Sequence, residues 1–577
     1  MSDEGAVDVD VVVVGAGFAG LGAATRLERR GRTSFVVLER AERVGGTWRD
    51  NVYPNVSCDI PSHLYSYSFA PEADWSAFYA PGAEIQAYLE RVVEREQLSP
   101  RLRLGTEVLE AVFDEEACRW LVRTTRGNYS AAVLLLCAGR LSEPRLPAVP
   151  GLDAFPGPAF HSARWRDDID LEGARVGIVG SGASAVQIVP HLAERAAQVV
   201  LFQRSAPYVI PRRNRAYQPE ERRALARAPG ALTRLREELF WQAELGFAGR
   251  VGVPEAIDRL RAEALDHLAA HVSDPELRAV LTPDYEIGCK RVLLSDDYYP
   301  ALAQAHVRVV PGPLRTIDGS AAVGDDDVPH ELDVLVFATG FHSTRPPFAR
   351  RIRGRGSVLL ADRWADGMAA YASTTVHGFP NLFVVNGPNA SLGHNSAVHM
   401  IESQIEYVLA ALDHLETTGS DLLEVSAHAE AASVARIDAL STDTVWTNGG
   451  CESWYLDPNR RLTLLWPDFA FAFREELSHF DPAAYSSSPR SRYRDRMTDR
   501  VLAPEPPADG AKPKGPASYF PSIEKTYGRP VQEWLDLADE RLRHDAHLQV
   551  VTWLKVEHGL GHGHANAIVA YVRSART

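Results

Sequence analysis

Residues 9–20, Val9-Asp-Val-Val-Val-Val-Gly15-Ala-Gly17-Phe-Ala-Gly20, decide the fold of this chain. The apolar run, interrupted only by Asp10, predicts a buried parallel strand. The glycines after it predict a tight turn whose backbone can approach a pyrophosphate, and residues 21–30 have helical composition. The amides and the dipole at the N-terminus of that helix would then face the anion.

An acidic residue follows the next predicted strand, residues 34–38. This residue is Glu39, about 20 residues beyond Gly20, where a carboxylate can bind both ribose hydroxyls of an adenosine. The first turn therefore suits FAD or NAD.

The same pattern recurs at Gly180-Ser-Gly182-Ala-Ser-Ala185, after a predicted strand at residues 175–179. Ala185 replaces the third glycine, which is the mildest change at a position that governs helix packing. The following predicted strand, residues 198–203, ends at Arg204 instead of an acid. An arginine there pairs with a 2′-phosphate, whereas a carboxylate would repel it, so the second turn suits NADP.

The length and charge of the chain restrict its class. Its 577 residues exceed what one hydrophobic core serves, so we expect two or three domains. The formal net charge of −15 argues against a general surface for nucleic acid or anionic membranes. No apolar window approaches the roughly 20 residues of a membrane span, and the acidic N-terminus does not fit a signal peptide. We expect a cytoplasmic protein without nucleic-acid or membrane partners.

The five cysteines are scattered along the chain and show no CxxC spacing: Cys58, Cys118, Cys137, Cys289 and Cys451. We therefore expect neither a disulfide framework nor a zinc site, and no metal elsewhere. Flavin disulfide reductases also use two nucleotide-binding domains, but they need a closely spaced cysteine pair, so this chain does not fit that class.

The predicted fold class is α/β, with two Rossmann-like dinucleotide-binding domains and a small α-helical C-terminal module. We expect an FAD domain formed by residues 1–150 and 331–485, interrupted by an NADP domain at 151–330. That second domain carries a predicted helical insertion at about 220–281. A proline-rich linker, 486–518, would lead to the helical module, 519–577.

Residues 155–165, Phe155-Pro-Gly157-Pro-Ala-Phe-His161-Ser-Ala-Arg-Trp165, lie just before the second turn. They fit the fingerprint FxGxxxHxxxW, so the chain resembles the type I Baeyer-Villiger monooxygenases from about residue 8 to 485. One departure is Arg166, where the family commonly has Pro or Asp. Further matches are Gly45-Gly46-Thr47-Trp48, Cys58-Asp59-Ile60-Pro61, Cys289-Lys290-Arg291, Ala338-Thr339-Gly340 and Gly378-Phe379-Pro380-Asn381-Leu382-Phe383.

The resemblance implies a monooxygenase that uses FAD and NADPH and acts on a small-molecule ketone and O2. NADPH would reduce FAD, and a C4a-peroxyflavin would attack the carbonyl to give an ester or lactone. Relatives that oxygenate amines and sulfides usually have Tyr or Phe at Trp165, so this residue favours ketones. Two other classes stay open: an N- or S-oxygenating flavin monooxygenase or NADPH oxidase, and a nucleotide-binding regulatory protein.

The developing negative charge of such a reaction needs a fixed cation. Arg291 never deprotonates, and by resemblance it occupies the catalytic arginine position of the family. Asp59, at the matching family position, would orient it. The alternatives are a surface ion pair for Arg291 and a turn or helix cap for Asp59. Lys290 would point with Arg204 and Ser205 towards the 2′-phosphate, or into solvent.

The expected cofactor-binding residues follow from the two turns, the strand ends and the family motifs. They are Gly15, Gly17, Phe18, Ala19, Gly20, Glu39, Arg40, Gly46, Thr47, Trp48, Asp59, Ala138, Gly139, Gly180, Ser181, Gly182, Ala183, Ser184, Arg204, Ser205, Lys290, Arg291, Ala338, Thr339 and Gly340.

Two other regions carry weaker indications. Trp446, Trp454 and Tyr455 flank a Gly/Asn-rich stretch, residues 447–451, which predicts either a mobile lid or a loop anchored by aromatics. The C-terminal module resembles a small family of unknown function and contains His544, His547, His558, His562 and His564. The glycines among these histidines favour a helix-to-helix connection over a metal site. A protein partner or self-association through this module also stays open.

Overall fold

The apolar run before the first glycine turn is a strand in the computed structural model, which describes residues 6–488, 501, 503–504, 515–542 and 545–576. Two units divide the chain, residues 1–487 and 488–577. The strands are β1 (Val7–Val14), β2 (Phe35–Leu38), β3 (Leu102–Arg103), β4 (Val108–Asp114), β5 (Arg119–Thr124), β6 (Gly127–Leu136), β7 (Ala159–His161), β8 (Arg175–Val179), β9 (Gln198–Gln203), β10 (Val209–Ile210), β11 (Leu293–Leu294), β12 (Val307–Pro311), β13 (Thr316–Asp318), β14 (Ala321–Val323), β15 (Pro329–Glu331), β16 (Val334–Phe337), β17 (Ile352–Arg353), β18 (Leu382–Val384), β19 (Leu422–Val425) and β20 (Tyr485–Ser488).

The helices of the larger unit lie between and after these strands. They are α1 (Phe18–Arg29), α2 (Thr47–Asp50), α3 (Gly82–Arg95), α4 (Ala183–Arg195), α5 (Pro219–Arg227), α6 (Ala231–Leu245), α7 (Pro254–His271), α8 (Pro275–Leu281), α9 (Tyr298–Leu302), α10 (Leu360–Arg363), α11 (Ala397–Thr418), α12 (Ala427–Ser441), α13 (Val445–Asn448) and α14 (Ala470–Leu477). Helices α5 to α8 fill the stretch in which the sequence predicts a helical insertion.

The first sheet has the strand order β17-β4-β5-β6-β1-β2-β3, and β18 lies beside β6. Strand β1 is parallel to β2 and β6, with Val11 opposite both Phe35 and Val133. Helices α1 and α11 pack against each other on this sheet and bury most of their apolar side chains. The central strand is therefore covered, which explains its almost continuous apolar sequence.

The second sheet has the order β12-β9-β8-β16-β7, and every pair in it is parallel. Strands β8 and β9 have the bounds that the sequence predicts. Strand β16 lies between β8 and β7, although the sequence assigns its residues to the first domain. The domain boundary at residue 330 stays a prediction, and this pairing favours a boundary after Phe337.

The smaller unit contains four described helices: α15 (Phe520–Tyr527), α16 (Val531–Leu542), α17 (His547–His558) and α18 (His562–Arg576). Their buried apolar side chains form one core that includes Ile523, Leu535, Leu554 and Ile568. The predicted helices at 531–542 and 548–557 match α16 and α17. His544 and residues 489–500, 502 and 505–514 of the predicted linker lie outside the described residues.

A helix that crosses a membrane needs about 20 consecutive, predominantly apolar residues. None of these helices is long and apolar enough to cross a membrane.

Candidate active site

The first glycine turn holds the backbone in a conformation that side chains would disturb. Gly15 has φ +102°, and a Cβ on it would lie 2.5 Å from the carbonyl oxygen of Cys137. A Cβ on Gly20 would lie 1.8 Å from the carbonyl oxygen of Gly15. Helix α1 begins immediately after Gly17, with this glycine at its N-cap. Its first amides therefore face the open side of the turn.

Glu39 lies directly after β2 and is only 5% exposed. Its carboxylate accepts hydrogen bonds from the backbone N–H of Ala16 (2.9 Å) and Ala41 (3.0 Å), and it pairs with Arg49 at 2.9 Å. These bonds fix the carboxylate beside the glycine turn. The neighbouring Arg40 is instead half-exposed and forms an ion pair with Glu143.

A second backbone segment approaches the turn from the loop that leads into α2. Gly46 has φ +54°, and a Cβ on it would lie 3.1 Å from the Cα of Gly17. The two glycines thus leave a slot between bare backbone segments. Trp48, two residues later, is partly buried. Its ring contacts the ring of Tyr65 edge-on, with the two ring centroids 5.6 Å apart.

The second glycine turn repeats the geometry of the first. Gly180 has φ +109°, and a Cβ on it would lie 2.5 Å from the carbonyl oxygen of Ala338. Gly182 is the N-cap of α4, and no atom lies within 4 Å of the place its Cβ would take. The Ser181 hydroxyl donates to the carbonyl of Ser205 at 2.7 Å, which links the turn to the end of β9.

A cationic group lies at the end of β9. Arg204 is exposed, and within the described part of the chain its side chain forms no ion pair. Lys290 Nζ donates to the Ser205 hydroxyl at 2.7 Å and lies 4.6 Å from the ring centroid of Tyr285. Burial lowers the pKa of Lys290, and the nearby charge of Arg204 acts in the same direction. The charges of Asp284 and Glu452 act on Lys290 in the opposite direction, but neither Lys290 nor Arg204 forms an ion pair within the described residues. Two adjacent cations in this state can bind an anion.

Asp59 and Arg291 come together although 232 residues separate them in the chain. Arg291 Nε donates to Asp59 Oδ2 at 2.6 Å, and the two side chains are 25% and 30% exposed. The charge of Asp59 raises the pKa of Arg291. Burial acts to raise the pKa of Asp59, but the charge and hydrogen bond of Arg291 outweigh it, so this pKa is lowered. Both groups are therefore ionised at neutral pH.

Three further polar side chains lie in this region, and the sequence marked only Tyr455 among them, as an aromatic residue beside the Gly/Asn-rich stretch. Tyr455 is buried, and the charges of Arg291 and Arg250 both act on its hydroxyl. Arg140 follows Gly139, and its guanidinium contacts only neutral oxygens, those of Asn386 and Leu464. Arg140 could have been predicted as a site residue, because it follows a glycine at the end of a strand. Arg250 lies in the helical insertion, where no local pattern marks it.

His161 and Trp165 both make packing contacts with aromatic rings. His161 is 3% exposed, and its Nδ1 accepts a hydrogen bond from the N–H of Ala163 at 3.1 Å. Burial lowers its pKa to about 4, so the ring is neutral at physiological pH. The ring of Trp165 contacts the ring of Phe160 edge-on, with the two ring centroids 5.4 Å apart.

The expectation of no disulfide is wrong for one pair. Cys289 and Cys451 form a disulfide across 162 residues of sequence, with their Cα atoms 6.2 Å apart. Spacing patterns reveal only cysteines that are close in sequence, so this disulfide could not be predicted from them. It joins the loop of Arg291 to the Gly/Asn-rich stretch. Trp446 and Tyr455 are 1% exposed and Trp454 is 44% exposed, so buried aromatics anchor this stretch.

Two histidines of the C-terminal module have ordinary hydrogen-bond partners. His564 bonds to the Tyr527 hydroxyl at 3.1 Å, and His547 bonds to Asn566 at 2.8 Å. Among the residues that the structure describes, no group of three or more His, Cys, Asp or Glu side chains could hold a metal ion. The contacts of the described histidines give no support to a protein partner.

The remaining predicted residues lie at the two turns or at strand ends. Gly139 and Gly340 have φ +69° and +77°, and Arg145 N–H donates to the Gly340 carbonyl at 2.8 Å. The Thr339 hydroxyl donates to the carbonyl of Arg145. Phe18 and Ala19 open α1, Thr47 opens α2, and Ala183 and Ser184 open α4.

Comparison with known proteins gives consistent matches. Residues 12–225 match the pyridine nucleotide-disulphide oxidoreductases, and residues 515–574 match a domain of unknown function. The chain is 45% identical over 506 residues to a Baeyer-Villiger monooxygenase of Streptomyces coelicolor, which covers 87% of this chain and 95% of the relative.

Solved structures show the same likeness. A steroid monooxygenase bound to NADP has a TM-score of 0.74 and 32% identity, with 83% of this chain and 99% of that chain covered. OTEMO in complex with FAD and NADP has a TM-score of 0.76 and 26% identity, with 83% and 99% covered. The predicted α/β fold class is thereby confirmed.

Proposed function

Because the chain belongs to the Baeyer-Villiger monooxygenases, we propose that it oxygenates a ketone with Arg291 as the catalytic cation. The predicted family is confirmed, and with it an enzyme that depends on FAD and NADPH. In balanced form, a ketone, O2, NADPH and a proton give an ester or lactone, NADP+ and water. A cytoplasmic location is part of the proposal and is supported only by the sequence.

The first turn fits FAD. The slot between Gly17 and Gly46 admits a pyrophosphate against bare backbone, and the fixed Glu39 carboxylate can accept hydrogen bonds from ribose hydroxyls. FAD, once bound and reduced by NADPH, supplies the activated oxygen. We assign to it the residues Gly15, Gly17, Phe18, Ala19, Gly20, Glu39, Gly46, Thr47, Trp48, Ala138 and Gly139. Arg40 contributes less, because Glu143 already pairs with it.

The second turn fits NADPH. Gly180 and Gly182 leave the start of α4 open to a pyrophosphate, and the cations at the end of β9 match a 2′-phosphate. We assign to it the residues Gly180, Ser181, Gly182, Ala183, Ser184, Arg204, Ser205, Lys290, Ala338, Thr339 and Gly340. The ordinary acid of an NAD site is replaced here by Arg204, which supports NADPH over NADH.

Arg291 performs the electrostatic part of the reaction. The carbonyl oxygen of the ketone becomes negative as oxygen adds to the carbonyl carbon, and a guanidinium beside it stabilises that charge. Asp59 occupies the Nε–H, and the Tyr455 hydroxyl can accept from one further N–H, so the remaining N–H groups of the guanidinium stay available for the substrate. Asp59 is thus a positioning residue, since it fixes the plane of the guanidinium. The buried rings of Tyr455 and Trp446 exclude water from this side.

The observation that carries this proposal is the bond between Asp59 and Arg291. It joins a loop that follows α2 to a loop that follows α8, and it holds a charged group that cannot deprotonate. A surface ion pair does not account for a pair of which each side chain is about three-quarters buried.

The test is mass spectrometry of the products from a panel of ketones under oxygen-18 gas. An ester or lactone that carries one labelled oxygen atom supports the proposal. A labelled sulfoxide or N-oxide, with no ester from any ketone, would instead assign the enzyme to heteroatom oxygenation. NADPH consumption with hydrogen peroxide as the sole product would identify an NADPH oxidase.

A further inference from the structure

Arg250 is a buried cation without a counter-ion. It follows a 3-10 turn, Gly246–Gly249, in the helical insertion, and it is 9% exposed. Its backbone is fixed at both ends, because its N–H donates to Phe247 (2.7 Å) and its carbonyl accepts from Val445 (3.0 Å). Its guanidinium forms no hydrogen bond or ion pair with any residue that the structure describes. A buried charge in this state is unfavourable until an anion joins it.

A buried carboxylate of the same insertion, Glu244, forms no ion pair with Arg250. Glu244, 3% exposed, accepts hydrogen bonds from Asn395 (2.6 Å) and His394 (3.2 Å). It also accepts weaker bonds from the N–H groups of Ala470 and Phe471 at 3.3 Å. These four donors all belong to residues other than Arg250. The charge on Arg250 is therefore left for a group that is not part of the chain.

Two buried donors without an acceptor lie near Arg250. The Trp446 indole N–H has no hydrogen-bond partner among the described residues. The Tyr455 hydroxyl lies beside the guanidinium of Arg291, which can only donate, so no described residue accepts the hydroxyl proton. A Cβ on Gly393 would lie 3.6 Å from Arg250 Nε and 3.7 Å from Trp446 Nε1. The two nitrogens therefore lie next to the same point beside Gly393. An indole N–H can only donate, which requires an acceptor there.

This place adjoins the proposed catalytic cation. Arg250 Nη1 lies 3.4 Å from where a Cβ of Gly288 would be, and Gly288 precedes Arg291 by three residues. Burial lowers the pKa of Arg250, and the like charge of Arg291 acts in the same direction. Arg291 has Asp59 as its partner, whereas Arg250 has none. An anionic ligand beside Arg250 would also reduce the repulsion between the two arginines.

We propose that Arg250, with Trp446 and Tyr455, binds a carboxylate of the substrate, so that the enzyme acts on oxo acids. This inference rests on the proposed function and narrows its substrate class. A carboxylate offers two acceptor oxygens to the guanidinium and accepts from neutral N–H and O–H donors, as the three side chains require. The phosphates of NADPH are the other source of anionic oxygens, and Arg204, Ser205 and Lys290 already form a separate place for one of them.

The test compares pairs of substrates that differ only in charge: straight-chain methyl ketones that end in a carboxylate, and the methyl esters of the same acids. For the wild-type enzyme, kcat/KM should be higher for at least one acid than for its ester. Arg250→Met should reduce kcat/KM for that acid by about 10- to 100-fold and leave the ester nearly unchanged, because a charge-assisted bond is lost. Arg250→Lys should recover part of the loss.

Two further measurements do not depend on turnover of the acid. Saturated carboxylic acids of matched length, which carry no ketone, should inhibit oxidation of the ester competitively, and Arg250→Met should abolish this inhibition. The matched control is Arg259→Met, an exposed arginine on α7 of the same insertion, which should change neither measurement. Flavin absorbance of each purified variant shows whether it is folded.

The outcomes separate the two hypotheses. Equal kcat/KM for every acid and its ester, with no inhibition by saturated acids, overturns the carboxylate site and leaves the proposed function intact. Arg250→Met could instead raise KM for NADPH equally with acid and ester substrates. That result would assign Arg250 to the cofactor and would also overturn the carboxylate site. If no ketone of the series or of the labelled panel gives an ester, the proposed function fails and this inference fails with it.

Discussion

Arg291 and Arg250 show how one residue type can take different roles within one site. Asp59 fixes Arg291, and that carboxylate keeps the guanidinium charged and in one plane. Arg250 has no such partner, and its position is set by its backbone and by packing. A paired arginine is preorganised for charge that develops during a reaction, whereas an unpaired buried one favours an anion already present in the ligand.

Arg291→Ala should abolish ester formation while FAD stays bound. Loss of one preorganised donor costs roughly 2.7 to 4 kcal/mol, or about 100- to 1000-fold in rate, and a full charge belongs at the upper end. Hydrogen peroxide should replace the ester if flavin reduction still proceeds. Stopped-flow reduction under nitrogen, followed by mixing with oxygen and ketone, measures both steps. Arg291→Lys is the control that retains charge, and ester formation by Arg291→Ala at a near wild-type rate would refute the role.

Arg204→Ala should raise KM for NADPH and have little effect on KM for NADH. The reason is that Arg204 is proposed to contact only the 2′-phosphate of the cofactor. Such a charge-assisted hydrogen bond contributes about 1.5 to 3 kcal/mol. Steady-state kinetics with both nucleotides measures this. Arg195→Ala, which removes an exposed arginine at the C-terminal end of α4, is the control and should leave both constants unchanged. Equal losses for NADPH and NADH would contradict the assignment.

The elements around the site are held by two long-range links. The first is the ion pair between the loops after α2 and α8. The second is the Cys289–Cys451 disulfide, which ties the loop of Arg291 to the stretch that follows α13. The Glu286 N–H also donates to the Gly449 carbonyl at 2.9 Å. Because Tyr455 and Trp446 lie on either side of Cys451, the disulfide limits the movement of both rings relative to Arg291.

Cys289 and Cys451 should resist alkylation in denatured, unreduced protein, whereas Cys58 and Cys137 should react. Peptide mass spectrometry with and without reductant shows which cysteines are protected. Cys451→Ser should also lower Tm, because a disulfide that closes a long loop typically stabilises by about 2 to 4 kcal/mol.

Serine variants provide the control for this bond. Cys289→Ser, Cys451→Ser and the double variant should lower Tm equally, since each loses the same bond. Additive losses in the double variant, or full alkylation without reductant, would show that the two cysteines are not joined.

At the scale of the whole molecule, local patterns predicted the elements and long-range contacts were missed. Strands β8 and β9 and helix α16 have the predicted bounds, because strand ends and apolar periodicity are local properties of sequence. The disulfide joins residues 162 apart and was missed. Arg250 was missed for the same reason, since its lack of a partner appears only after the insertion packs against β-sheet loops.

The proposed cofactor and catalytic residues also fall into those that local sequence predicts and those that depend on long-range contacts. The two glycine turns, Glu39 and Arg204 could be placed from spacing alone, because the strand-turn-helix unit fixes their geometry. Asp59 and Arg291 required the family motifs, since nothing local indicates that their loops meet. Tyr455 was noted only as an aromatic beside a loop, and its position near three arginines depends on tertiary packing.

The division into two units leads to a test of the C-terminal module. A chain that ends at residue 488 should keep bound FAD and NADPH oxidation, because every residue proposed to hold a cofactor lies in residues 1–487. The sequence suggested ending the chain at 485, but β20 continues to Ser488 and pairs with β19. Flavin absorbance, Tm and NADPH oxidation are measured on the shortened and full chains.

A chain that ends at residue 484 is the matched control. It also lacks Tyr485, whose hydroxyl bonds to Tyr407 at 2.6 Å and Thr375 at 3.0 Å and whose ring stacks on Phe480. Loss of these buried bonds leaves the Tyr407 hydroxyl unsatisfied, so this chain should have a lower Tm than the one ending at 488. If the chain ending at 488 is obtained folded but without flavin, the module contributes to the FAD site and the two units do not function separately.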